Sequence, residues 1–215
     1  MGKKTEINSI ELYFQWWLEE LITAGYIKSY AREPETLIVA ETLEYGRIKR
    51  FKRKEKEIEK FNLFPEVKYT YDYIIVWEEA SEYLFYEEIN EEKVFQFGKP
   101  LFVATRHFED VVSYVDVKPT VNAMRGGKVS SSISFPLKQR LCWENNRIYI
   151  NKVIPRPMSG SGYKVALMVK SFVPQRYLLT DGGTQRRKIN FPINDLNGYI
   201  KRKTEYIQNL LKNTQ

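Results

Sequence analysis

The chain has 215 residues, about 1.4 times a ~150-residue domain, with 43% hydrophobic and 28% charged residues, 15 Tyr, 12 Phe and 4 Trp. That composition is too aromatic for disorder, and no stretch nears the ~18 apolar residues of a membrane helix. Cys142 and His107 are the only residues of their types, which excludes an intramolecular disulfide and a Cys-rich zinc site. A net charge of +7 hides a split: −6 over residues 1–118 (17 Lys and Arg against 23 Asp and Glu) and +13 over 119–215 (17 against 4). The basic part is expected to attract a polyanion, with nucleic acid the leading partner. Catalysis, if any, is expected to run on carboxylates and lysines.

Residues 8–27 carry Ile10, Phe14, Trp17, Leu18 and Leu21 at helical spacing, with Asn8 as cap and Gly25 as stop. Residues 37–46 suit a strand, and 47–60 follow with 8 basic and 3 acidic residues, a solvated run. Residues 67–77, VKYTYDYIIVW, read as a strong strand. Seven Glu fall in the fifteen residues 78–92, so 78–109 reads as an acidic insertion, a hairpin and short helix outside the core and a possible surface for a protein partner. Residues 110–120 are a second strong strand ended by Pro119, and 122–134 a mobile loop. A short helix at 136–145 is expected with Ser134 as cap and Pro136 in its first turn. After it come a strand at 147–155, another at 163–174, a basic turn at Gly182-Gly183 presenting Arg186, Arg187 and Lys188, and a final amphipathic helix.

The chemistry centres on Asp116 and Lys118. Two apart on a strand, they leave one face about 6.6 Å apart and can converge on a phosphate. The carboxylate suits a hard divalent cation, and the ammonium suits an attacking water or charge on phosphorus. Valines and Tyr114 surround Asp116, so a charge there needs an answer; a buried ion pair is the plain alternative. Asp72 interrupts the other strong strand on the face of Thr70, Ile74 and Val76, as a second metal ligand or as a strand-end hydrogen-bonding group. Glu11 lies beside the helical stripe and either points toward the sheet or closes a capping box with Asn8. Lys138 and Gln139 reach a phosphate backbone or simply solvate their helix.

Helix-borne Glu11, strand Asp72, strand Asp116-x-Lys118, and the helix and strand after them resemble, in that order, the PD-(D/E)xK nuclease superfamily. The likeness covers roughly 70 residues, and is greatest to phage-type Holliday-junction resolvases and transposon-end-cleaving endonucleases. The chain departs from the family pattern at Tyr71, where proline precedes the aspartate, and in the 43 residues between Asp72 and Asp116. The resemblance implies an α/β restriction-endonuclease-like core over 1–157, a mixed sheet flanked by helices, with 158–215 as a basic extension for DNA contact. It implies Mg²⁺ or Mn²⁺ on Glu11, Asp72, Asp116 and the Val117 carbonyl, with Lys118 positioning water. It also implies cleavage of branched DNA by a homodimer in the cytoplasm of a bacterial or phage-infected cell. The alternatives are a transposon-end or restriction-like subunit that depends on a partner, and a catalytically inactive DNA-binding accessory protein.

Overall fold

The computed structural model describes residues 9–51, 54–89, 94–118, 131–153, 176–178, 184–186 and 196–213. The first helix, α1 (Ser9–Thr23), buries Phe14, Trp17, Leu18 and Leu21 completely, the stripe its spacing predicts. It ends where expected. Gly25 takes φ +77°, and Tyr26 N donates to the Leu21 carbonyl at 2.9 Å, a glycine-terminated helix end.

The centre of the molecule is β9 (Asp110–Val117), in which every residue from Val111 to Val117 is buried. Along one edge it pairs antiparallel with β6 (Tyr73–Trp77), and β6 with β1 (Ile27–Arg32). Its other edge is shared. The first half pairs antiparallel with β8 (Phe102–His107), which carries β7 (Tyr86–Glu88) parallel beyond it, and the second half pairs parallel with β10 (Ile150–Val153). The result is a six-stranded mixed sheet in an α/β fold.

Where β8 leaves and β10 begins, backbone groups lose their partners, and Asn151 supplies them. Its Oδ1 accepts from Val103 N at 2.9 Å, and its Nδ2 donates to the carbonyls of Val103 (2.8 Å) and Tyr114 (3.1 Å). A side-chain amide thus imitates a peptide unit at the fork.

The sheet's two faces divide the work. Phe14, Trp17, Tyr73, Ile75, Val115 and Val117 form one core beneath α1. Val39, Tyr69, Tyr71, Val112, Tyr114, Phe135 and Cys142 form another beneath α2 (Ser131–Asn146). Alternation along β9 therefore puts Asp116 on the α2 face.

Several expectations change. The 37–46 strand is two, β2 (Thr36–Ala40) and β3 (Leu43–Phe51). The charged run is a β-hairpin of β3 with β4 (Lys54–Phe64), whose register sets Arg47 opposite Glu59 and Lys49 opposite Glu57. The 67–77 strand breaks at Tyr71–Asp72: β5 (Val67–Thr70) pairs with β2, whereas β6 joins the central sheet. The acidic segment is part of the folded core, because Phe85, Phe102 and Ala104 are fully buried in it and β7 and β8 extend the sheet. The expected hairpin there is a parallel pairing. The second helix starts at Ser131, so Ser134 is no cap and Pro136 lies inside the helix. The last helix, α3 (Leu196–Asn213), packs Leu196, Tyr199 and Ile200 on the main core, and Tyr199 donates to the Leu84 carbonyl at 2.7 Å. That part of the proposed extension belongs to the folded body. Arg186 closes a two-stranded ladder of β11 (Arg176–Leu178) with β12 (Thr184–Arg186). Asn8, Pro119, 122–130, 163–174, Gly182, Gly183, Arg187 and Lys188 lie outside the described residues. Among the described residues no helix is long and apolar enough to cross a membrane.

The fork gives a stability test. Asn151→Ala removes the partner of the buried Val103 N–H and a donor to the Tyr114 carbonyl, while the Val103 carbonyl keeps the Ser113 hydroxyl, and is expected to cost about 2–4 kcal/mol. Urea unfolding reads this as a lower midpoint at unchanged slope. Asn151→Asp, which restores the acceptor but neither donor, should recover little of the loss.

Candidate active site

Asp116 sits near the carboxyl end of β9, 1% exposed. Burying a carboxylate this deeply is unfavourable unless its oxygens are answered. Lys118 Nζ donates to Oδ1 at 2.6 Å, and the Tyr69 hydroxyl donates to Oδ2 at 2.5 Å. The pair predicted from i, i+2 spacing is therefore formed, with Lys118 a quarter exposed at the solvent side.

Asp72 completes the cluster. Its Oδ2 accepts from Val117 N at 2.6 Å, which sets its carboxyl beside Asp116, near enough for the two acids to interact. Burial first, then the neighbouring Asp116, push the Asp72 carboxyl up to about 7, against the pull of the Val117 amide and the Lys118 ammonium. Two acids this close do not ionise together cheaply. With both ionised, the two carboxylates and Lys118 leave one negative charge unanswered, and the oxygen-only donor set suits Mg²⁺ or Mn²⁺. Magnesium is commonly held by one or two carboxylates, with water and substrate phosphates completing its shell.

Tyr69 is the member that sequence reasoning missed. In an unbroken strand, residues 69 and 72 differ by an odd number and face opposite ways. The break at Tyr71–Asp72 lets both reach Asp116, while Asp72 N stays bonded to the Val115 carbonyl (3.0 Å) and its carbonyl accepts from Glu33 N (2.8 Å). The alternating tyrosines 69, 71 and 73, all buried, were the available signal. Burial, and then the charge of Asp116, hold the Tyr69 hydroxyl far above its usual range, so it remains a donor.

Glu11 is not brought in. Helix α1 covers the opposite face of the sheet, where Glu11 pairs with Arg32 at 2.9 Å and its backbone carbonyl accepts from the Tyr73 hydroxyl at 3.1 Å. Among the described residues no three or more His, Cys, Asp or Glu side chains gather as a metal cage. Val117 meets the site through its amide. Lys138 lies over the Tyr69 ring, 5.5 Å from its centroid, and so borders the cluster. Gln139 donates instead to the Ile150 carbonyl at 2.5 Å, tying α2 to β10. His107 bonds the Tyr114 hydroxyl at 3.0 Å, away from the acids. Burial pushes the Cys142 thiol up to about 11, leaving it protonated near neutrality.

Asp72 makes the site pH-sensitive. Its folded pKa lies above the unfolded ~3.9, so between about pH 4 and 7 the folded state keeps a proton that the unfolded state has lost. Its stabilising contribution is full below pH 4 and gone above pH 7. In EDTA, Asp72→Asn should lose less stability than the parent between pH 5 and 7.5, as read by the two urea midpoints. Added Mg²⁺ should raise the parent's midpoint at pH 7.5 and leave the variant's nearly unchanged.

Comparison with known protein families, with curated proteins and with solved structures finds no match to this chain.

Proposed function

We propose that this chain is a metal-dependent endodeoxyribonuclease with a restriction-endonuclease-like core of the PD-(D/E)xK kind, cutting branched DNA such as a Holliday junction as a cytoplasmic homodimer. One observation carries the reading: Asp72 and Asp116 lie side by side on one sheet face, with Lys118 on Asp116. The order α1, β6, β9, α2, β10, with β10 parallel to β9, supports it. A bound Mg²⁺ would supply Lewis-acid stabilisation of phosphoryl oxygens and a more acidic water. Asp72 and Asp116 would hold it. Lys118, the cluster's solvent-side cation, orients the attacking water and meets charge developing on phosphorus. Tyr69 fixes the Asp116 carboxyl through Oδ2, and Lys138 offers a positive charge beside it.

A second reading has its own observation. Both oxygens of Asp116 are occupied by protein donors, as a DNA-binding accessory protein without catalysis would have them. Cleavage assays on a four-way junction, a flap and a linear duplex with Mg²⁺, then with EDTA, separate the two. Asp116→Asn and Lys118→Ala should each lower the rate about 10³-fold or more while leaving junction affinity within about twofold, each ~1.4 kcal/mol being tenfold in rate. Near-normal cutting by Lys118→Ala would end the assignment. Binding without cutting, under every divalent cation tried, would favour the accessory protein.

DNA contact through Arg186, Arg187 and Lys188 stays part of the proposal. Replacing all three with Ala should flatten the slope of log affinity against log salt by about 2.7, for three phosphates. An unchanged slope in that variant, with a flattened one after neutralising residues 47–54, would move the contact to the β3–β4 hairpin.

A further inference from the structure

On the face of α2 next to the one that meets Tyr69, a cleft of about 390 Å³ opens beneath the acidic segment. Phe135, Lys138 and Cys142 turn toward the acids, whereas Pro136, Gln139, Arg140 and Trp143 line the cleft. Val103, at the sheet fork, and Tyr149, just before β10, contribute from the sheet, and Phe95 from the acidic segment. Among the described lining residues Lys99 and Arg140 are the charged ones, and Arg140 pairs with Glu144 at 2.7 Å on the exposed side of the helix. A volume of this size, mostly apolar with a few convergent polar groups, is typical of a ligand site.

The walls are held. Glu87, buried, accepts from Gln96 N at 2.7 Å and so anchors the backbone next to Phe95. Arg147 is in the left-handed region at φ 57°, and its guanidinium lies 5.8 Å from the Trp143 ring centroid. A non-glycine residue held there is strained, and here that position sets a cation over an aromatic ring.

We propose that this cleft receives an unstacked base of the DNA strand whose phosphate lies at Asp116 and Lys118, with Lys99 and Arg140 meeting neighbouring phosphates. The inference rests on the nuclease reading and names unpaired nucleotides beside the cut as the recognised feature. Half-buried Phe95, Trp143 and Tyr149 offer ring faces on which any base can stack. Lys99 and Arg140 complement a polyanion, Arg140 by exchanging its solvent-exposed pair with Glu144 for a phosphate, whereas an apolar peptide needs neither cation. The spacing fits. Tyr149 precedes Lys152 by three residues, about 10 Å along an extended strand, and Lys152 pairs in register with Asp116. At ~3.4 Å per stacked nucleotide, three nucleotides cover that span.

The test uses the unmodified protein with Ca²⁺ in place of Mg²⁺, so that binding is read without cutting. Its probes are a gapped duplex with unpaired thymidines, the same DNA with abasic sites at those positions, and an intact duplex. Removing the bases should weaken binding about tenfold or more, the scale of one base–aromatic stack. Trp143→Ala should bind the gapped DNA as weakly as the abasic DNA and should bind the intact duplex as before, and Trp143→Phe should recover part of the loss. Tryptophan quenching by gapped DNA should be present in the parent and missing from Trp143→Phe. Equal affinity for gapped and abasic DNA overturns the proposal, as does a Trp143 that acrylamide cannot reach. Cutting without base discrimination loses only the cleft, discrimination without cutting in Mg²⁺ loses only the nuclease, and failure to bind any DNA loses both.

Discussion

A carboxylate buried in the middle of a sheet is the constraint from which most of this architecture follows. Asp116 has almost no solvent, and hydrocarbon neighbours on β9 offer it no hydrogen bond. Tyr69 and Lys118 answer its two oxygens, and Asp72 lies beside it. Lys118 comes from the end of the same strand, whereas Tyr69 and Asp72 come together from another stretch of chain. For Tyr69 and Asp72 to arrive together, a run that looks like one strand has to break, and the break turns β5 out of the central sheet into a ribbon with β2. Asn145 and Asn146 then fasten that ribbon to α2 through the carbonyls of Val39 and Ile38.

Local periodicity carried the parts whose cause is local. The stripe of α1, the burial of β9 and the Asp116–Lys118 pair follow from spacings of three, four and two residues. The break at Tyr71–Asp72 does not, because nothing in VKYTYDYIIVW stops a strand; what stops it is competition between β2 and β9 for the same stretch, a tertiary effect. The acidic segment misled in the opposite way. Seven glutamates suggested a solvated insertion, yet the short apolar runs Phe85-Tyr86 and Phe102-Val103-Ala104 within it are buried. Glu11 failed because its face on α1 was legible whereas the side of the sheet that α1 covers was not.

Helix α2 is the partition of the α2 face. Its Phe135, Lys138 and Cys142 row touches the acids' surroundings, and its Pro136, Gln139 and Trp143 row walls the cleft, so any tilt of the helix moves both at once. Gln139 to Ile150 and the asparagine contacts to β2 oppose such a tilt from two directions. The low amphipathicity of this helix in sequence has the same origin, since it has apolar neighbours on more than one side.

The excursion from Glu33 to Asp72 begins and ends on neighbouring strands: Arg32 and Tyr73 are partners in the β1–β6 ladder, and Glu33 bonds the Asp72 carbonyl across the gap. A segment whose two ends already touch can lengthen or shrink over evolutionary time at little cost to the sheet, since loop closure grows only slowly with length. Drift in the β3–β4 hairpin at its far end is free in that sense. Loss of the whole excursion is not, because Tyr69 goes with it, leaving a folded sheet around a carboxylate with one oxygen unmet. Related chains should therefore vary most between residues 43 and 64 and keep the root of the excursion intact.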